Sequence, residues 1–311
     1  MRAMDKLMID TATLVQLLAI AVAFSAPLVF AAMGELISER AGVINIQLEG
    51  MMLVGAFAAA WAASASGSFY TGFLCGALAG LALAALHGLL CFVFNAEQVV
   101  SGIVLNILAL GLTTFALKPV FGAGAAASAP TLTKLPVPYL SELPVVGPVL
   151  FNQNLMVYAS YALVLLTSFA LMRTTWGLAL RAVGEAPAAA ISLGVNVRRT
   201  RWVAVLICGA LAGIGGAQLT LAGLGTFTQN VTAGRGFVAI AAVVFGRWMP
   251  GPTLFAVLLF TLTEALQVRA QLLGINVPYQ FLVMAPYAIT VAAIAFARGG
   301  RAPASLGVRQ G

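Results

Sequence analysis

Long uncharged runs, broken by short polar punctuation, organise this chain. Residues 11–34, 98–117, 144–172, 202–234 and 270–297 carry no charge at all. Roughly 20 apolar residues in a helix cross a ~30 Å hydrocarbon core, so each run is long enough to span a membrane. Divided at its polar and Gly/Pro breaks, the pattern predicts about nine membrane-embedded helices: 11–33, 43–64, 69–94, 98–119, 152–172, 202–223, 236–249, 251–270 and 278–297. Segment 236–249 is short and bounded by Arg235 and Arg247. It reads as spanning or re-entrant, since irregular backbone at membrane depth needs protein around it. Residues 120–151 hold five prolines and little charge, which predicts an extended external loop. The fold class is therefore all-α: a polytopic integral membrane protein, one transmembrane domain over 1–311.

Composition strengthens this reading. The chain is 61% hydrophobic and 8% charged, against about 25% charged in a soluble domain. Thirty-two glycines suit close helix–helix approach in lipid. The net charge of +7 is not a nucleic-acid signal, because it gathers in two places. One is 173–201, where Arg173, Arg181, Arg198, Arg199 and Arg201 face the single acid Glu185; the other is the tail 298–311 with Arg298, Arg301 and Arg309. Short Arg-rich loops stay cytoplasmic. Counting helices from there puts 120–151 and the N-terminus outside and the C-terminus inside. The first apolar run is too long for the core of a cleavable signal peptide. Cys75, Cys91 and Cys208 stand isolated in apolar surroundings and read as packing residues without metal-site spacing.

Candidate chemistry is sparse. No Walker A loop or HExxH pattern is present, and the lone His87 reads as an interhelical hydrogen-bonding group. Any energy source must then be a gradient or a partner protein. Glu49, flanked by Asn45 and Gln47, opens an apolar segment. An acid there lines a solute pathway, pairs with Arg40, or caps the helix beginning near Gly50. Gln98, Ser101 and Asn106 form a second polar edge on a helix. Two Gly-interrupted polar tracts, 42–50 and 228–236, each lead into a small-residue helix, as in transporters whose halves meet at a central pathway. That adds Asn230 to the candidate pathway residues.

Several stretches together resemble the permeases of bacterial ATP-binding-cassette (ABC) importers, in the ribose and branched-chain amino acid permease branch. These are Ser38-Glu39-Arg40-Ala41-Gly42-Val43-Ile44-Asn45-Ile46, Leu48-Glu49-Gly50-Met51-Met52, Asn95-Ala96-Glu97-Gln98-Val99-Val100-Ser101-Gly102, Leu180-Arg181-Ala182-Val183-Gly184-Glu185, Thr232-Ala233-Gly234-Arg235-Gly236-Phe237, Phe245-Gly246-Arg247-Trp248 and Ala302-Pro303-Ala304-Ser305-Leu306-Gly307. The chain looks most like the shorter of the two permeases of nucleoside importers. The resemblance implies a bacterial inner-membrane transport subunit that is not itself an enzyme and holds no cofactor. It further implies an ABC ATPase partner that uses ATP-Mg, a second permease in a heterodimer, an extracytoplasmic substrate-binding lipoprotein, and a small-molecule substrate, all within membrane lipid. It also gives 173–201 a role as the coupling loop, with Arg181, Gly184, Glu185, Ala189, Ala190 and Gly194 meeting the ATPase. Ala188 stands where that family usually has Glu, so Glu185 is the nearest acid to the coupling helix. Import of simple sugars or branched-chain amino acids, or transport driven by an ion gradient, are the rival readings.

Overall fold

The computed structural model describes residues 11–122, 130–272 and 302–308, together with Met284 and Ala288. Its long helices are α1 (Thr11–Arg40), α2 (Leu48–Ser66), α3 (Phe69–Phe92), α4 (Gln98–Phe121), α5 (Leu155–Arg173), α8 (Val197–Gln218) and α10 (Pro250–Leu272). Between α5 and α8 lie α6 (Thr175–Glu185) and the six-residue α7 (Pro187–Ser192); between α8 and α10 lies the eleven-residue α9 (Arg235–Phe245). A π-helical turn, Leu219–Leu224, extends α8. Strand β1 (Lys134–Pro136), within the segment read as an extended loop, pairs antiparallel with β2 (Asn152–Asn154), which takes the first three residues of the segment read as helix 152–172.

Among the described residues seven helices are long and apolar enough to span, not nine. Two segments account for the difference. Residues 278–297 lie outside the described residues except for Met284 and Ala288. Segment 236–249 is helical only over Arg235–Phe245, about 16 Å at 1.5 Å per residue, which is half of a ~30 Å core. The chain nevertheless crosses there. Helix α8 runs antiparallel to α1: Arg201 bonds the Ala41 carbonyl, Gly34 abuts Cys208, and Gly215 abuts Pro27. Its far end is thus level with the start of α1. The C-terminal end of α9 returns to the opposite face, where the Trp248 indole N–H donates to Glu39 and the Arg40 Nε donates to the Trp248 carbonyl. Helix α10 then runs back until Arg269 reaches Thr13. Segment 225–249 therefore descends as irregular chain for half its path and as helix for the rest.

The centre of the bundle is α1, α2 and α8. Their apolar windows are 56%, 67% and 61% buried, against 28% for α4 and α5, which lie at the periphery. Glycine permits this close packing. A Cβ on Gly55 would lie 2.6 Å from the Gly213 Cα, and one on Gly80 would collide with the Gly209 carbonyl oxygen. Helices α2, α3 and α8 thus touch backbone to backbone, the arrangement by which small residues drive association where lipid removes the hydrophobic driving force. Cys91 and Cys208 sit in this core. His87 is fully buried and meets Ser101 across α3 and α4, Nδ1 to Oγ 3.1 Å.

Candidate functional site: two helix starts at mid-membrane

The polar tracts singled out in the sequence meet. After α1, residues 41–47 fold back along it as irregular chain: the Ser38 hydroxyl donates to the Val43 carbonyl, and the Asn45 N–H donates to Glu35 Oε1 at 3.0 Å. Helix α2 therefore starts at Leu48, well inside the membrane, and not at residue 43. Its register against α8 fixes the depth. Met52 abuts Gly216, the neighbour of Gly215, which faces Pro27; Pro27 is about 20 Å along α1 from Arg40. The start of α2 is thus near mid-depth, as is the start of α9 from its own length. One tract rises from the Arg40 face and the other descends from the opposite face. The two helices begin where the tracts meet.

Each helix start is closed by a side chain from elsewhere. At α2, Asn106 of α4 accepts from Gly50 N (2.7 Å) and donates to the Ile46 carbonyl (2.8 Å). At α9, the Glu49 carboxylate accepts from Gly234 N (2.8 Å), Gly236 N (2.6 Å) and the Thr232 hydroxyl. Glu49 is 8% exposed and does not pair with Arg40. Its charge is held by the positive end of the α9 dipole and by three donors. It caps a helix, as one sequence reading allowed, but one that begins 186 residues away, and it also edges a cavity. Gly236 is required at this approach, because a Cβ there would lie 2.5 Å from the Glu49 Cα. We expect Asn106→Ala to strand the Gly50 N–H and the Ile46 carbonyl, costing on the order of 1–3 kcal/mol. Thermal melting of the purified protein checks this: Asn106→Ala should melt several degrees lower, with Asn106→Asp between it and the wild type.

A cavity of about 250 Å³ opens beside these two starts, lined by Glu49, Gly50, Leu53, Asn106, Ile107, Leu110, Asn230, Gly234 and Phe237. Three of the seven candidate pathway residues, Glu49, Asn106 and Asn230, are on its wall. The other four are elsewhere. Gln98 Oε1 accepts from Ile44 N, Ser101 meets His87, and the Asn45 amide donates to Ser38; all three tie segment 41–47 and its neighbours together. Gln47 is fully buried, with neither amide atom hydrogen-bonded among the described residues. Phe237, half-exposed at the cavity, and Thr232 were not singled out in the sequence. Both lie in the quoted tract 232–237, which was the available signal.

The coupling-loop candidates gather at the other end. Gly184 abuts the Arg40 carbonyl, Glu185 ends α6 exposed, and Arg181 Nε donates to the Gly177 carbonyl. In α7, Ala190 is buried and Ala189 exposed, and Gly194 just beyond (φ +81°) takes the left-handed conformation common after a helix. Ile191 and Leu193 are 62% and 82% exposed, an apolar tip at the end of α7. Arg201 differs from the other arginines of the island. It is 2% exposed and donates to the Ala41 carbonyl and to Ser305 Oγ. At the first residue of α9, Arg235 pairs with Glu264.

A family model for the branched-chain amino acid transport system / permease component matches residues 17–294. The nucleoside ABC transporter permease protein NupC of Lactococcus lactis is 38% identical over 285 residues, 89% of this chain and 90% of that protein. The putative glucose ABC transporter permease protein TsgC13 of Haloferax volcanii is 39% identical over 87% of this chain and 88% of its own length. The guanosine ABC transporter permease protein NupQ of Bacillus subtilis is 35% identical over 90% and 92%. A more distant relative, the nucleoside ABC transporter permease protein NupB of Lactococcus lactis, is 26% identical and is covered over 68% of its length. No solved structure matches the chain. With 278 consecutive residues matched and seven apolar helices of spanning length among those described, this multi-pass membrane protein belongs to the branched-chain amino acid transport system permease family.

Proposed function

We propose that this chain forms one wall of the translocation pathway of an ATP-driven nucleoside importer and pairs with a second, longer permease. The observation that carries this is the mid-membrane cavity between two oppositely directed helix starts. Thr228, Gln229 and Asn230, in the irregular tract above α9, are exposed, and Asn230 lines the cavity. Polar irregular backbone at that depth is stable only against protein or in a water-filled cavity. A second permease closing over the cavity supplies both. NupB, matched over only part of its length beside the better-matched NupC of the same organism, is what a longer companion would look like.

The cavity wall favours passage over tight binding. Glu49 and Asn106 already spend most of their hydrogen-bonding capacity on helix ends, leaving Asn230 and the Phe237 ring to meet solute. A half-exposed aromatic ring suits a nucleobase, whose stacking on such a ring is worth ~1–3 kcal/mol. Three of the four relatives above carry nucleoside or guanosine in their names, and the fourth carries glucose. Affinity then rests with an extracytoplasmic binding lipoprotein, and the driving force with an ATPase that holds ATP-Mg. The ATPase docks on Arg181, Gly184, Glu185, Ala189, Ala190 and Gly194 at the cytoplasmic face of the inner membrane. This orientation leaves the N-terminus outside and residues 298–311 inside.

Uptake of labelled guanosine, uridine and glucose by the native bacterium, with and without this gene, tests the substrate. Loss of guanosine and uridine uptake alone is expected. Loss of glucose uptake alone would keep the permease and change its cargo. Persistence of all three would refute the proposal.

A further inference from the structure

Residues 302–308 lie in a junction that the helix packing alone does not require. The Ser305 backbone N–H and hydroxyl both donate to the Gly184 carbonyl, at 2.9 and 2.7 Å, satisfying a carbonyl near the end of α6 that no longer has a helical partner. Arg201, at the start of α8, ties this segment to the chain after α1, donating Nε to the Ala41 carbonyl (3.0 Å) and Nη2 to Ser305 Oγ (3.2 Å). Gly307 N donates to the Gly42 carbonyl at 3.3 Å. Gly42 has φ +88°, and a Cβ on it would lie 2.6 Å from Ser305 Oγ. Leu306 packs onto the central core. The segment is therefore pinned at once to the base of the α6–α7 pair, to α8 and to the tract that begins α2.

That tract leads to the pathway. From Gly42 only six residues intervene before Glu49, whose carboxylate holds the start of α9. Gly184 also abuts the Arg40 carbonyl, so α6 cannot shift without pushing on the same tract.

We propose that residues 302–308 are a strut that transmits displacement of α6–α7 to the 41–49 tract and so to the cavity, with Ser305 and Arg201 as its positioning residues. The proposal rests on the importer reading above. It gives the tail a role in coupling ATP hydrolysis to movement of solute, distinct from docking the ATPase. A mere anchor would affect assembly or hydrolysis. A strut affects how much solute moves per ATP.

The test uses the complete transporter, purified from its native organism through a tag on this chain and reconstituted in proteoliposomes. Guanosine and glucose uptake and ATP hydrolysis are measured in parallel. For Ser305→Ala and for Arg201→Lys, uptake per ATP is expected to fall at least fivefold while hydrolysis stays within twofold of wild type. Ser305→Thr, which keeps the hydroxyl, is expected to recover most of the ratio. An unchanged ratio in both Ser305→Ala and Arg201→Lys would overturn the strut while leaving the importer reading intact. So would a parallel fall in uptake and hydrolysis, or failure of both variants to assemble. Wild-type complex that hydrolyses ATP without moving either solute would overturn the importer reading, and the strut with it.

Discussion

Replacing Glu49 by Ala should abolish transport. The carboxylate satisfies two backbone N–H groups at the start of α9 and the Thr232 hydroxyl, in a site from which it is almost fully screened. Removing it strands those donors at mid-membrane and uncaps the positive end of α9, a cost on the order of 3–5 kcal/mol. Helix α9 is only eleven residues long, and its N-cap residue, Gly234, has no side chain to replace the carboxylate. It would fray or swing into the cavity. Uptake is expected to fall by more than tenfold, with loss of the pathway and not of the proposed ATPase docking on α6 and α7, which lie about half a membrane away. Glu49→Gln should be intermediate, since one amide oxygen still accepts while the NH₂ faces donors. Copurification of the ATPase, measured beside uptake, separates the two outcomes. Wild-type uptake by Glu49→Ala would show that the cap is dispensable.

Gly80→Ala should cost folded protein nearly as severely. The methyl would sit well inside contact distance of the Gly209 carbonyl oxygen and 2.8 Å from the Gly213 Cα, so α3 and α8 must separate. Forcing atoms into a packed interface costs ~1–3 kcal/mol or more, and here the strain passes to α2, which touches α8 through Gly55 and Gly213. Gly111→Ala is the control, because a Cβ there meets nothing within 4 Å. The yield of monodisperse protein in detergent is expected to drop several-fold for Gly80→Ala and to stay unchanged for Gly111→Ala. Equal yields would mean that the glycine contacts do not limit packing.

Much of the architecture was legible because lipid writes it in one dimension. The spanning runs, the brevity of the helix between Arg235 and Arg247, and the kinship of the two polar tracts were all on the surface of the sequence. Depth and partnership were not. Asn45, Gln98 and Ser101 read as pathway residues, and hydrogen bonds tie all three to the 41–47 tract and its neighbours. Hydropathy records that a polar side chain sits in an apolar segment, not whether it faces protein or a cavity. Glu49 stood out as an acid near a helix start, yet the helix it caps is far away in sequence. Arg201 read as one more loop arginine, and its role depends on Ser305, 104 residues further on. Such pairings exist only once the chain has folded.

The most direct test of the pathway replaces Asn230, exposed at the cavity mouth, with cysteine. Guanosine uptake by proteoliposomes of the complete transporter is then followed with and without a small polar thiol reagent. Wild-type protein is the control for Cys75, Cys91 and Cys208. Uptake that needs ATP, falls more than tenfold when the introduced thiol is modified, and is protected by excess unlabelled guanosine is the expected result. A fully modified thiol with unchanged uptake, or uptake that runs on an ion gradient without ATP, would contradict it.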